Sequence, residues 1–134
     1  MSRRAHVVAL IVTIAIGAGS RFVPLGHSFW DKSVGDIAYA TMVGLLFAIA
    51  RPRTEPINLA ASALLACFAI ELFQATGIPA RAPRVVQIVL GTTFAWHDIA
   101  YDMVGASLAG LLHGRIAKAA RIRSRGASRG SPSK

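Results

Sequence analysis

Three apolar stretches of the chain carry a small residue at every fourth position, and each stripe includes a carboxylate. Asp36, Ala40, Gly44 and Ala48 form the first stripe, and Ala63, Cys67, Glu71 and Ala75 the second. Asp98, Asp102, Ala106, Gly110 and Gly114 form the third. A four-residue step places each set along one side of a helix. Small residues on such a side let helix backbones approach closely inside a membrane. From Val7 to Gly19 there is no charge, and Thr13 is the one polar side chain. A helix there lacks the polar face that a soluble surface helix needs.

This patterning predicts four membrane helices over residues 5–21, 33–50, 57–76 and 98–115. Arg51-Pro52 stops the second and Glu55-Pro56 precedes the third, so a short turn makes the two an antiparallel hairpin. Gly77 and Pro79 end the third helix, and Asp98 is placed to cap the fourth. The connection over 77–97 is long for a structureless loop. Its middle, Val85-Val86-Gln87-Ile88-Val89-Leu90-Gly91, is too apolar to be solvated. It reads as an interfacial helix or a re-entrant segment roofing the helix ends. The expected fold is therefore an all-α membrane protein, a four-transmembrane-helix bundle over residues 1–116, with a basic and largely disordered cytoplasmic tail over 117–134. No internal repeat suggests a duplicated transporter.

Composition agrees: 54% of the 134 residues are hydrophobic and only 16% are charged. A soluble bundle is the competing reading, because short apolar runs also occur in buried core helices. Too little polar surface is available to cover such a bundle. Arg3-Arg4, the apolar stretch and Gly17-Ala18-Gly19-Ser20 together resemble a signal peptide. Arg21-Phe22-Val23-Pro24, however, reads as a helix end rather than a mature N-terminus.

The net charge of +9 is concentrated. Arg115, Lys118, Arg121, Arg123, Arg125, Arg129 and Lys134 lie near the C-terminus, as in a cytoplasmic anchor beside anionic lipid. The tail has no aromatic residues or folded module beside it, so no nucleic-acid partner is expected. With both termini inside, eleven of the 15 basic residues fall on the cytoplasmic side. Arg21, Lys32, Arg81 and Arg84 fall outside. Trp30, Trp96, Phe22, Phe29 and Phe94 then lie at the outer interface. Five of the six acids share that side, with Glu55 alone inside.

The chemistry is expected where the acids gather. Glu71 and Gln74 share a helix face, as do Asp98 and Tyr101, while Asp98 and Asp102 are one turn apart and His97 adjoins them. Intramembrane carboxylates are costly unless paired, and Arg21, Lys32, Arg81 and Arg84 are the available partners. The candidate binding set is Arg21, Asp36, Glu71, Gln74, Arg81, Arg84, His97, Asp98, Tyr101 and Asp102. It can serve as an ion-paired structural network or as a site for a polar headgroup. Acid/base catalysis fits the residue types, but no spacing fixes a reaction, so no catalytic residue is assigned. A metal held by Glu71, His97, Asp98 and Asp102 lacks a dense ligand motif, and neither metal nor cofactor is expected. Cys67, the one cysteine, excludes an intrachain disulfide and reads as a packing residue. His6, His27 and His113 are isolated in sequence, His27 near the acids and the other two at the cytoplasmic boundary.

Gly35-Asp36, Glu71-Leu72-Phe73-Gln74, Leu90-Gly91 and Phe94-Ala95-Trp96-His97-Asp98, followed by Tyr101 and Gly105, resemble a small bacterial membrane family of unknown function. That family is similar to the VanZ-like proteins, and the resemblance spans about residues 21–112. It implies about four membrane helices in a bacterial cell membrane, with envelope or antibiotic-related roles for the VanZ relatives.

Taken together, the residues point to an inner-membrane protein, non-enzymatic or of unproven chemistry, in contact with membrane lipid. Its outward-facing acid/Arg/His cluster is expected to bind a lipid headgroup or cell-envelope precursor. The alternative is a small accessory subunit packed into a larger membrane complex through its glycine stripes. The basic asymmetry makes the orientation testable. Cysteines introduced at Ser28 and Ser131 should label from opposite sides of intact cells, and labelling from one side would refute the four-span topology.

Overall fold

Pro56, Gly77 and the run rich in alanine and leucine between them show why this chain forms long helices. Proline fits the first helical turn, where its missing N–H costs nothing. Gly77, at φ +70°, takes the left-handed conformation that ends the helix, and its N–H bonds to the Gln74 carbonyl at 2.9 Å. The structure is a computed structural model that describes residues 3–23, 25–27, 29–90 and 95–129. The expectations for Pro24, Ser28, Gly91, Phe94 and residues 130–134 lie outside those residues.

Five α-helices follow one another: α1 (Arg3–Phe22), α2 (Val34–Ala50), α3 (Pro56–Ala75), α4 (Arg84–Leu90) and α5 (Trp96–Arg129). A π-helical turn at Phe29–Ser33 leads into α2, and a 3₁₀ turn at Pro79–Arg81 precedes α4. The described residues contain no strand. Three stretches are long and apolar enough to cross a membrane: Arg3–Phe22, Phe29–Ala50 and Pro56–Ala75. The described residues are thus all-helical, with three helices consistent with a membrane protein.

Two sequence expectations need correction. The fourth long helix does not stop at Arg115: α5 has 34 residues and continues through 117–129 to Arg129. Alanine, arginine and lysine in that stretch are strong helix formers, and local propensity outweighs the composition bias that suggested disorder. Asp98 is not the residue that precedes α5. It sits in the first turn, and its Oδ2 reaches back to accept the Ala95 N–H at 3.1 Å, as the acidic member of a capping box does. Within the long loop, residues 84–90 form the short helix α4.

The packing is inside-out relative to a soluble bundle. Val8, Ile11, Leu65, Leu72, Val104 and Leu111 are exposed, while Thr41, Gln74, Asp102 and His113 are buried. Apolar outer faces and polar interiors are what a hydrocarbon surrounding imposes. α2 lies centrally and packs against α1, α3 and α5, and α5 also packs against α3. Gly44 and Gly110 of the small stripes form these contacts, joined by Gly105 and Ala109 from the adjacent row of α5. A Cβ at Gly105 would collide with the Ile37 carbonyl oxygen, and one at Gly44 with Ala109. At Gly110 it would lie 2.8 Å from the Pro56 carbonyl oxygen. The Thr41 hydroxyl sits 3.0 Å from the Gly105 carbonyl and 2.8 Å from that of Ile37, and its single proton serves both.

His6 and His113, expected to be isolated at an interface, are instead buried and bonded to each other. His6 Nε2 lies 2.9 Å from His113 Nδ1, and His113 Nε2 lies 2.9 Å from the Thr54 carbonyl oxygen. A carbonyl only accepts, so His113 Nε2 carries hydrogen, and in the neutral ring its Nδ1 accepts from His6. The chain of bonds ties α1, α5 and the α2–α3 turn at one end of the bundle.

Close backbone contact makes the glycines unequal. Gly105→Ala, Gly44→Leu and Gly110→Leu should each lower the melting temperature in detergent, because overpacking costs about 1–3 kcal/mol. Gly19→Ala meets nothing within 4 Å. It should be neutral or stabilising, since alanine favours helix by about 1 kcal/mol over glycine. Equal effects at all four positions would place the stripes against lipid.

Candidate functional site

The acids are brought together by three helices meeting at the end of the bundle opposite the histidine pair. α2 supplies Asp36 from its first turn, α3 supplies Glu71 and Gln74 from its last two turns, and α5 supplies Asp98 and Asp102 from its first two. They line a cavity of about 390 Å³, together with Arg21, Asp31, Lys32, Tyr39, Cys67, Ile70, Gln87 and Leu90.

Charge is graded from the mouth inward. The Arg21 side chain is 49% exposed, and Lys32 is exposed as well. Glu71, Asp98 and Asp102 retain only 8%, 7% and 4% of their surface. Among the described residues the one carboxylate paired with an arginine or lysine is Asp36. Its Oδ1 lies 3.7 Å from Arg21 Nη2, an ion-pair distance too long for a hydrogen bond. Asp98 Oδ1 lies 3.2 Å from His97 Nε2 without hydrogen-bond alignment. Asp36 Oδ2, Glu71 Oε2 and Asp98 Oδ1 are buried with no hydrogen-bond partner among the described residues. Such groups cost about 1–3 kcal/mol each, more when charged.

The other lining groups are already committed. Asp31 is a loop staple: its carboxylate accepts the Leu25 N–H at 2.8 Å and the Gly26 N–H at 3.2 Å, with Gly26 at φ +75°. Gln74 Nε2 donates to the Leu90 carbonyl, holding the end of α4 against α3. Gln87 Nε2 donates to the Ala80 and Ala82 carbonyls at 3.0 and 2.8 Å. α4 therefore forms part of the cavity wall.

Of the ten residues singled out from sequence, Arg21, Asp36, Glu71, Gln74, Asp98 and Asp102 line the cavity. His97 and Tyr101 stand beside it, their ring centroids 6.1 Å apart in an edge contact. Arg81 and Arg84 are exposed and do not line it, because the 3₁₀ turn and α4 direct the loop's polar contribution through Gln87 instead. His27, considered near the acids, is exposed and contributes its backbone carbonyl to the Asp31 N–H. Sequence reasoning missed Tyr39 entirely, although it lies three residues after Asp36 on the same helix face. Cys67 was read as packing alone. It is buried and also faces the cavity, one turn before Glu71. No three His, Cys, Asp or Glu among the described residues converge closely enough to hold a metal ion.

Residues 25–106 match the family model described as protein of unknown function DUF2809, and the chain belongs to that family. The matched stretch contains every cavity acid, but not Arg21. No curated protein and no solved structure matches the chain. None of these comparisons links it to the VanZ-like proteins.

The unpartnered carboxylates give a signed expectation. Glu71→Gln keeps the side chain's shape while removing a charge held among Asp36, Asp98 and Asp102. The purified variant should be more stable than wild type by about 1–3 kcal/mol. Glu55→Gln, in the exposed α2–α3 turn, should leave the midpoint unchanged. A destabilised Glu71→Gln variant would mean that Glu71 has a structural partner.

Proposed function

We propose that this DUF2809 protein is a multi-pass protein of the bacterial inner membrane that binds a polar molecule of the cell envelope in its acidic cavity. The ligand class is a lipid headgroup or a cell-envelope precursor. The chain crosses the membrane four times, with both termini cytoplasmic and the cavity toward the outer face. α5 is the fourth span. It is about 50 Å long at helical rise, enough to cross the hydrocarbon core and continue into the cytoplasm. Its lipid-facing side carries Met103, Val104, Leu108 and Leu111. The end of α5 beyond Arg115, with the residues after it, forms the basic cytoplasmic tail beside anionic lipid.

One observation carries this reading. Glu71 is more than nine-tenths buried, lines the cavity, and leaves Oε2 without a partner among the described residues. An ion-paired fastening would have consumed that oxygen, and a ligand would satisfy it. The rival reading, a small accessory subunit, rests on glycine stripes free to dock a partner. Gly44, Gly105 and Gly110 instead meet Ala109, Ile37 and Pro56 of the same chain, so those stripes are occupied internally.

Mild-detergent extraction followed by native mass spectrometry tests the proposal. A lipid or envelope precursor should remain bound to wild-type protein and be lost on Glu71→Gln. A bare chain held in a fixed-stoichiometry protein complex would overturn the proposal in favour of the accessory subunit.

A further inference from the structure

We infer that the cavity receives a primary ammonium group, with any attached anion left at the mouth beside Arg21 and Lys32. This rests on the ligand-binding reading above and names the chemistry of the same site. The deep wall is dominated by carboxylates, with the Tyr39 hydroxyl and the Cys67 thiol as its neutral donors. Glu71, Asp98 and Asp102 are carboxylates more than nine-tenths buried, and Glu71 Oε2 and Asp98 Oδ1 have no hydrogen-bond partner among the described residues. The amide donors that might have balanced them are turned away: Gln74 Nε2 serves the Leu90 carbonyl, and Gln87 Nε2 serves those of Ala80 and Ala82. Gln87 is left with its amide oxygen alone, and Gln74 with its amide oxygen and one further N–H.

An anion would need donors at that depth, and the two basic lining residues, Arg21 and Lys32, are both at the exposed rim. A small metal ion would need ligands converging at about 2.0–2.6 Å, and no such set exists among the described residues. An ammonium group fits between these limits. It carries three N–H donors, reaches carboxylates at about 2.7–2.9 Å, and can bond to oxygens on different helices at once. A cavity of about 390 Å³ suits a headgroup-sized molecule. The same chemistry arises in an ethanolamine-type lipid headgroup and in a soluble amine, and the rim charges suit a zwitterion whose phosphate stays outside.

The test uses the full chain, purified and delipidated in detergent, and follows its melting midpoint with ethanolamine, N-methylethanolamine, N,N-dimethylethanolamine and choline. Each methyl group removes one N–H donor while the positive charge stays. Ethanolamine should raise the midpoint, stabilisation should fall along the series, and choline should bind at least about tenfold more weakly. This series needs no variant. Where Glu71→Gln or Asp102→Asn purifies folded, the ethanolamine shift should disappear. Reconstitution then separates the sources. Greater stabilisation by phosphatidylethanolamine than by phosphatidylcholine of the same chains identifies the lipid, whereas a shift with soluble ethanolamine alone identifies a free amine. Equal binding of ethanolamine and choline would overturn the inference, because charge without N–H donation would suffice. Stabilisation by inorganic phosphate or phosphatidylglycerol, with none by any amine, would overturn it and leave the broader proposal of a polar envelope ligand standing. No response to any probe, and no retained lipid, would overturn both.

Discussion

The approach of α5 to α2 at Gly105 is the contact on which the rest of the molecule depends. There the α5 backbone lies against the Ile37 carbonyl and the Thr41 amide, at a separation that leaves no room for a Cβ. Lipid supplies no hydrophobic push between helices, so such contacts rely on close packing and on hydrogen bonds like that of Thr41 to Gly105. Asp102 lies three residues before Gly105 and Asp36 one before Ile37. The same contact that joins the helices therefore holds two carboxylates on neighbouring backbones. Gly44 and Gly110 repeat the arrangement further along and bring α3, with Glu71, to the same cavity.

Packing this tight makes the charge distribution consequential. Asp36, Glu71, Asp98 and Asp102 share one cavity with a single loose arginine pair at its rim. A structural network would bring each acid a basic partner, because removing one member of a buried pair costs about 3–5 kcal/mol. Here Arg81 and Arg84, the cations that could have closed such a network, face outward. Both N–H groups of Gln87 and one of Gln74 are spent on anchoring α4 and the turn before it. Natural sites often accept a stability cost of this kind where a ligand completes the polar set.

The two ends of the bundle contrast. At the far end, His6, His113 and Thr54 are linked in a chain of hydrogen bonds that locks three elements together. At the cavity end, the Asp31 staple and the Gln74 anchor fix the rim, while the acids between them remain open to a partner. A braced end and an unsatisfied end thus lie on the same helices, and under the proposed function the second is where a ligand is met.

The sequence by itself determined the three apolar spans, the burial of most of each small stripe and the gathering of acids at one end. Those features follow from short-range rules: a four-residue step, proline and glycine punctuation, and the cost of charge in hydrocarbon. Asp36, Glu71 and Asp102 were legible because each continues a stripe of small residues on its own helix. Tertiary structure decided which polar groups meet. His6 and His113 bond across 107 positions, so no local pattern could pair them. Arg81 and Arg84 looked equivalent to Arg21 as partners, yet only Arg21 reaches an acid, because α1 packs along α2 while α4 turns its arginine outward. Tyr39 and Gln87 enter the cavity for the same reason. The direction in which a side chain points is set by helix rotation and loop path, and these are fixed only when the backbones pack.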